Sequence, residues 1–195
     1  PWRLLELESP DGREKLRVVA SGTLRYHGLT ELFFESAEPP FDELPPRVFF
    51  RRFPEGKWEV SGITIDDREL ESSDVLRHVL PAPPDGVTLS GVPAAEDCDA
   101  VPLPSVGEPV LIAWEPVTKS HPELGKKGSI KVVRYQVVVE REEPPLTFSV
   151  ELPPDVTAFE IPGGLTESGD EIKFEILVRE ETGNQTAIES CFEVE

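Results

Sequence analysis

"PVLIAWEPVTKS", residues 109–120, puts Val110, Ile112 and Trp114 on one side of a strand at period two, then follows the tryptophan at once with an acid and a proline. The same pattern returns in "VVRYQVVVE" (132–140), where Val133, Tyr135, Val137 and Val139 share a face, and in "KFEILVRE" (173–180), where Phe174, Ile176 and Val178 do. Strands with one apolar side must bury that side, and the economical partner is a second sheet about 10 Å away. Trp114 and Tyr135 then read as wedges between two layers.

Working outward, strands are expected at 87–89, 109–115, 130–141, 146–152, 157–162, 172–180 and 187–195. Seven strands in about 110 residues, with turn signals between them and no helical period, form the pattern of a β-sandwich.

The order of landmarks over residues 86–195 resembles a fibronectin type III domain. Trp114 closes the second strand, Tyr135 leads the third, Leu165 precedes the turn "TESGDE" into the sixth, and "TGNQT" leads to the last. The resemblance implies a sandwich whose loops or exposed edges contact other molecules. One departure concerns the tyrosine that usually pins the corner before the sixth strand: Ile172 stands in its place, so that hydrogen bond is expected to be missing. Antibody-type domains fit less well, because neither the second nor the sixth strand carries their bridging cysteine.

The first half is expected to be mostly β as well. "LLELESPDGREKLRVVAS" predicts a hairpin around Pro10-Asp11-Gly12, with Leu16, Val18 and Ala20 alternating on one face. Leu24 and Tyr26 suggest a strand broken at Gly28, and Leu32 to Phe34 a further short one. After Pro45 and Pro46 the period changes, predicting a short helix near 46–53 whose phenylalanines pack under a sheet. Trp58 and Val60 then begin a strand that turns at Asp66-Asp67 and returns with Leu76, His78 and Leu80 on one face. "PAPPDG" (81–86) reads as a stiff linker. The expected architecture is all-β: a divergent immunoglobulin-like domain with a short helical insertion over 1–84, and a fibronectin type III-like sandwich over 85–195. The tandem resembles modules of secreted bacterial proteins.

The net charge is −19, with 16 acids against 11 bases through Pro84 and 22 against 8 beyond it. Such a surface repels phosphate backbones and excludes a nucleic-acid groove. No apolar run reaches the ~18 residues of a membrane helix, so no membrane insertion is expected. The sequence holds no methionine, so any export signal would lie outside it.

Catalytic patterns are absent: there is neither a nucleophile elbow nor a phosphate-cradling loop, and His27, His78 and His121 stand apart from each other and from any ligand-spaced cysteine. No cofactor or metal is implied. Glu96, Asp97 and Asp99 lack the glycine and distant glutamate of a calcium loop, and Asn184-Gln185-Thr186 matches a glycosylation acceptor that a tight loop explains equally well. Cys98 and Cys191 either form a bridge, as an exported protein would allow, or remain a surface thiol and a small core residue.

These readings favour a non-catalytic, secreted or periplasmic interaction or spacer module whose partner is a protein or cell-surface component. Its candidate contact is the long loop between the second and third strands of the second domain, with Lys119, His121, Lys126 and Lys127. A carbohydrate-binding module using Trp2 or Trp58 as a stacking platform is one alternative. A hydrolase with its site at the domain junction is another.

Overall fold

The computed structural model describes residues 1–33 and 43–195. The chain is mostly β and divides into two compact units, Pro1–His78 and Val79–Glu195.

In the first unit, β1 (Trp2–Glu8), β2 (Glu14–Val19), β3 (Gly56–Thr64) and β4 (Glu69–Leu76) form one antiparallel sheet in the order β2-β1-β3-β4. The β1–β2 hairpin turns where Pro10-Asp11-Gly12 predicts, with Gly12 at φ +71° and its N–H donating to Ser9 O at 2.9 Å. Arg17 lies directly opposite Glu6 and pairs with it at 2.7 Å. The Asp66-Asp67 turn also forms: Thr64 Oγ1 donates to Asp66 at 2.6 Å, and Asp67 takes a left-handed φ of +60°.

Other expectations for this half are corrected. Leu24 and Tyr26 belong to a one-turn helix, α1 (Leu24–His27), not to a strand, because two apolar positions two apart do not define a period. Gly28 ends it at φ +72°, packed so closely that a Cβ there would sit 2.6 Å from Pro1 Cβ and 2.7 Å from Ile65 Cγ2. Leu29 then bonds both ways with Trp2. Leu32 and Phe33 are irregular, and Phe34 lies outside the described residues. The return strand stops at Leu76, leaving His78 beyond it and Leu80 in the second unit.

The expected short helix is present as α2 (Pro46–Arg52), opened by Pro46 at its first position. None of its residues is buried. Its rings pack on one another and on neighbours in the same unit: Phe49 on Phe53 at 5.0 Å, Phe50 on His78 at 4.5 Å, Phe53 on Trp58 at 6.5 Å. Among the described residues of this unit there is one sheet, and its buried hydrophobic side chains are Trp2 and Ala20. The facing sheet of a sandwich is not found there.

The second unit has two sheets. One runs β10 (Leu146–Leu152), β9 (Val132–Arg141), β12 (Glu171–Glu180), β13 (Gln185–Val194), β7 (Ser105–Val106); the other runs β11 (Ala158–Glu160), β8 (Leu111–Glu115), β5 (Asp85–Leu89), β6 (Val92–Pro93). All pairings are antiparallel except β13 with β7. Most positions of the period-two faces read from sequence fill one core: Val110, Ile112 and Trp114 from one layer, with Tyr135, Val137, Val139, Phe174, Ile176 and Val178 from the other, joined there by Phe192 of β13. Val133, expected on the same face as Tyr135, is instead exposed at the start of β9. Trp114 meets Tyr135 edge-on at 5.3 Å. β6 and β7, two residues each, were too short to carry a readable period.

At the corner leading into β12, Ile172 is fully buried. An ion pair organises the corner. Arg141 Nη1 donates to Asp170 Oδ2 at 2.8 Å, and the same oxygen accepts Glu167 N–H at 2.7 Å. The Arg141 hydrogen bond holds the Asp170 carboxyl below the ordinary aspartate range despite partial burial. A carboxylate so depressed contributes stability that is complete above its unfolded value and is lost as pH falls through the folded one. Replacing Asp170 with Asn is therefore expected to lower the melting temperature at neutral pH, with the gap to wild type closing below about pH 4. Melting curves from pH 7 to pH 2.5 check this, and a gap constant across the range would contradict it.

Candidate functional site

The loop between β8 and β9, residues 116–131, is the longest connection of the second unit to carry clustered cations, and it is folded tightly on itself. His121 is half-buried. Its Nδ1 accepts two backbone N–H groups, from Glu123 at 3.1 Å and Leu124 at 2.9 Å, so the imidazole caps a turn that has no helix to satisfy those donors. Lys127 curls back so that its Nζ donates to His121 O at 2.9 Å and also to Pro122 O. Gly128 N–H donates to Ser120 Oγ at 3.3 Å. Lys119 and Lys126 are exposed on this ordered frame.

The base of the loop is tied to the leading segment of the unit. His121 N donates to Leu80 O and Ala82 N to Lys119 O, each at 2.8 Å, and Val117 N donates to the Tyr135 hydroxyl at 2.9 Å. The aromatic wedge of the core thus holds the root of the loop.

"PAPPDG", read from sequence as a stiff linker, contributes to this frame. Pro81 is fully buried, and residues 79–82 bond within the second unit. Prolines supply no N–H, so the segment presents carbonyl oxygens that need donors from elsewhere. β13 and the turn before it provide them as side chains: Asn184 Nδ2 donates to Val79 O at 3.1 Å, and Thr186 Oγ1 lies 3.3 Å from both Pro81 O and Ala82 O. Asn184, the glycosylation candidate, is thereby occupied in holding two stretches of chain together.

Sequence reasoning missed Glu180, one acid among 38. It is buried, and its carboxylate accepts Thr182 N–H at 3.0 Å, Asn184 N–H at 3.2 Å and the Thr182 hydroxyl. It shapes the "TGN" turn from which Asn184 reaches Val79. The one available signal was a glutamate two residues before a Thr-Gly-Asn turn.

On the opposite flank of the unit, Cys98 and Cys191 are joined by a disulfide. It ties the connection between β6 and β7 to the last strand, and Ser190 Oγ adds a hydrogen bond to Ala95 O at 2.9 Å. Beside it lies an open groove of about 690 Å3 lined by the Arg141–Asp170 pair and by Lys173 with its carboxylates. Lys173 Nζ lies 2.7 Å from Glu189, 3.6 Å from Glu175 and 3.8 Å from Glu140. The Glu189 hydrogen bond pushes the ammonium up from its ordinary range. Each cation here already has a carboxylate partner, and the groove's chemistry is that of a satisfied ionic surface. Asp99 N–H donates to Asp97 Oδ1 in a local turn, and among the described residues no three His, Cys, Asp or Glu side chains converge to hold a metal ion.

Neither tryptophan singled out for sugar stacking offers an open platform. Trp2 is buried, while Trp58 is half-buried, stacked on Phe53 with its Nε1 donating to Pro54 O at 3.1 Å. No protein-family model matches the sequence. No curated protein matches it either.

Two measurements follow from this geometry. Glu180→Ala leaves two part-buried N–H groups without an acceptor and is expected to destabilise the second unit by about 2–3 kcal/mol; chemical denaturation reads the loss, and a change within ~0.5 kcal/mol would show the turn to hold without it. Non-reducing mass spectrometry should show no free thiol, and reduction should cost about 4 kcal/mol, the entropy of a loop spanning 93 residues.

Proposed function

We propose that this chain is a non-catalytic interaction or spacer module that works outside the reducing cytoplasm, and that its second unit is a fibronectin type III-like sandwich contacting a protein or cell-surface component through the 116–131 loop. Support for the fold comes from strand order: β11-β8-β5 in one layer and β10-β9-β12-β13 in the other, with Trp114 ending the second long strand and Tyr135 near the start of the third. The single sheet of the first unit gives the immunoglobulin-like reading of that half no comparable support.

The compartment is argued from the disulfide, because bridges persist where thiols are not kept reduced. Secretion or export to a periplasm satisfies that condition. No described helix is long and apolar enough to cross a membrane.

The observation that carries the contact site is the loop's order. A loop capped by His121 and cross-tied by Lys127 loses little conformational entropy on binding, and it presents Lys119 and Lys126 from a unit that is otherwise strongly acidic. An acidic patch on the partner is the complement such a loop fits.

Labelled full-length protein applied to envelope preparations of the producing cells tests the reading. Binding is expected to be saturable and to fall at least tenfold in a Lys119→Glu, Lys126→Glu double variant, with weaker loss as salt rises. Saturable binding indifferent to both substitutions would remove the loop from the interface, and no binding at all would remove the function.

A further inference from the structure

Strands at the rim of a sheet carry unpaired backbone donors and acceptors, and proteins blunt such rims with charges, short strands, bulges or prolines. Most rims here are blunted. β4 carries Glu69, Glu71 and Asp74, and β2 carries Glu14, Lys15 and Arg17. β6 and β7 are two residues long and β11 three. β10 is different. It runs seven residues in unbroken register against β9, from Leu146 opposite Arg141 to Leu152 opposite Tyr135, and has one charged residue, Glu151.

The sequence around β10 has a symmetry that its pairing with β9 does not require. "PPLTFSVELPP", residues 144–154, reads alike by residue class in either direction about Ser149. If two copies meet antiparallel with Ser149 on the dyad, Phe148 faces Val150, Thr147 faces Glu151 and Leu146 faces Leu152. Each pair joins residues of the same face, so the half-buried row Leu146, Phe148, Val150, Leu152 continues across the seam and the exposed row stays outside. The prolines at 144–145 and 153–154 meet each other at both ends, where the lack of N–H groups stops the ladder symmetrically.

Charge decides whether a chain of net −19 can pair with itself there. The two Glu151 carboxylates would lie four residues apart along the seam, about 13 Å, which exceeds the ~8 Å screening length at physiological salt. Each is also paired with Arg134 of its own copy at 2.6 Å. No like charges face each other across the seven positions.

We propose that β10 is a self-association edge, and that a second copy of this chain pairs with it antiparallel about Ser149, continuing the five-stranded sheet of one copy into that of the other. The contact is small, below the ~1,200 Å2 of a standard interface, so the dimer is weak, in the micromolar range or above. It rests on strand geometry and not on the 116–131 loop, so either proposal can fail alone.

Sedimentation of the full chain from about 5 to about 500 µM is expected to show a monomer–dimer equilibrium, a range set by the size of the contact. The dyad is tested at Ser149, which is exposed, so substitution there leaves the core intact. Ser149→Lys and Ser149→Glu each set like charges face to face and should weaken dimerisation at least tenfold, while a mixture of the two variants should restore it. Both native cysteines are bridged, so the new thiol in Ser149→Cys has its symmetry mate as its directly opposed partner, within about 5 Å; mild oxidation should give a covalent dimer that reductant dissolves. A wild-type chain that stays monomeric to 500 µM, or a dimer indifferent to both charges with no cross-link at 149, overturns the proposal. So does protection of the β10 amides by a foreign extended peptide on a monomeric chain, which would give the edge to another protein.

Discussion

The second unit depends on the edge-to-face contact of Trp114 with Tyr135, 5.3 Å between ring centres. Each ring comes from a different layer, and between them they set the spacing over which the smaller aliphatic residues interlock. Trp114 is present for its shape: its Nε1 is buried without a hydrogen-bond partner, a cost of about 1–3 kcal/mol that the packing of the ring outweighs. Tyr135 adds a polar function at the layer's end, where its hydroxyl takes the Val117 amide and anchors the 116–131 loop. The contact that closes the core therefore also fixes the base of the most distinctive surface feature.

A second constraint is the shortage of backbone donors in a chain with 21 prolines. Where prolines crowd into the leading segment of the second unit, carbonyls accumulate without N–H partners, and Asn184 and Thr186 supply side-chain donors. Asn184 can reach Val79 because the buried Glu180 holds its turn in shape. This chain of dependencies makes a stretch that reads as a stiff linker part of a folded surface.

Much of the second unit was legible because its strands are long enough to show a period. β9 and β12, ten residues each, alternate almost without interruption, and their buried faces match the sequence pattern from Tyr135 onward in β9 and from Phe174 to Val178 in β12, while Val133 at the start of β9 is exposed. The first half resisted the same reading for the opposite reason. Leu24 and Tyr26 are only two points, and a glycine at φ +72° terminates a helical turn there as readily as it would break a strand. For the candidate loop, the positions of Lys119, His121, Lys126 and Lys127 were visible, but His121's role as an acceptor for two amides was not, since it depends on how the chain doubles back. Glu180 was hidden by abundance: among 38 acids, nothing local distinguishes the one that is dehydrated. The disulfide stood as one of two open alternatives until the spatial neighbourhood of β13 and the β6–β7 connection was known.

For the spacer role proposed above, the sulfur bridge has a mechanical meaning. A pull applied along the polypeptide reaches Cys98, crosses the covalent bond to Cys191 and continues along the chain, bypassing the residues between two cysteines separated by 93 positions. Those residues hold most of the layered core, and while the bond is intact they bear no tension. The shunt withholds roughly 300 Å of extensible contour, and only chemical reduction, not force alone on the noncovalent structure, can release it.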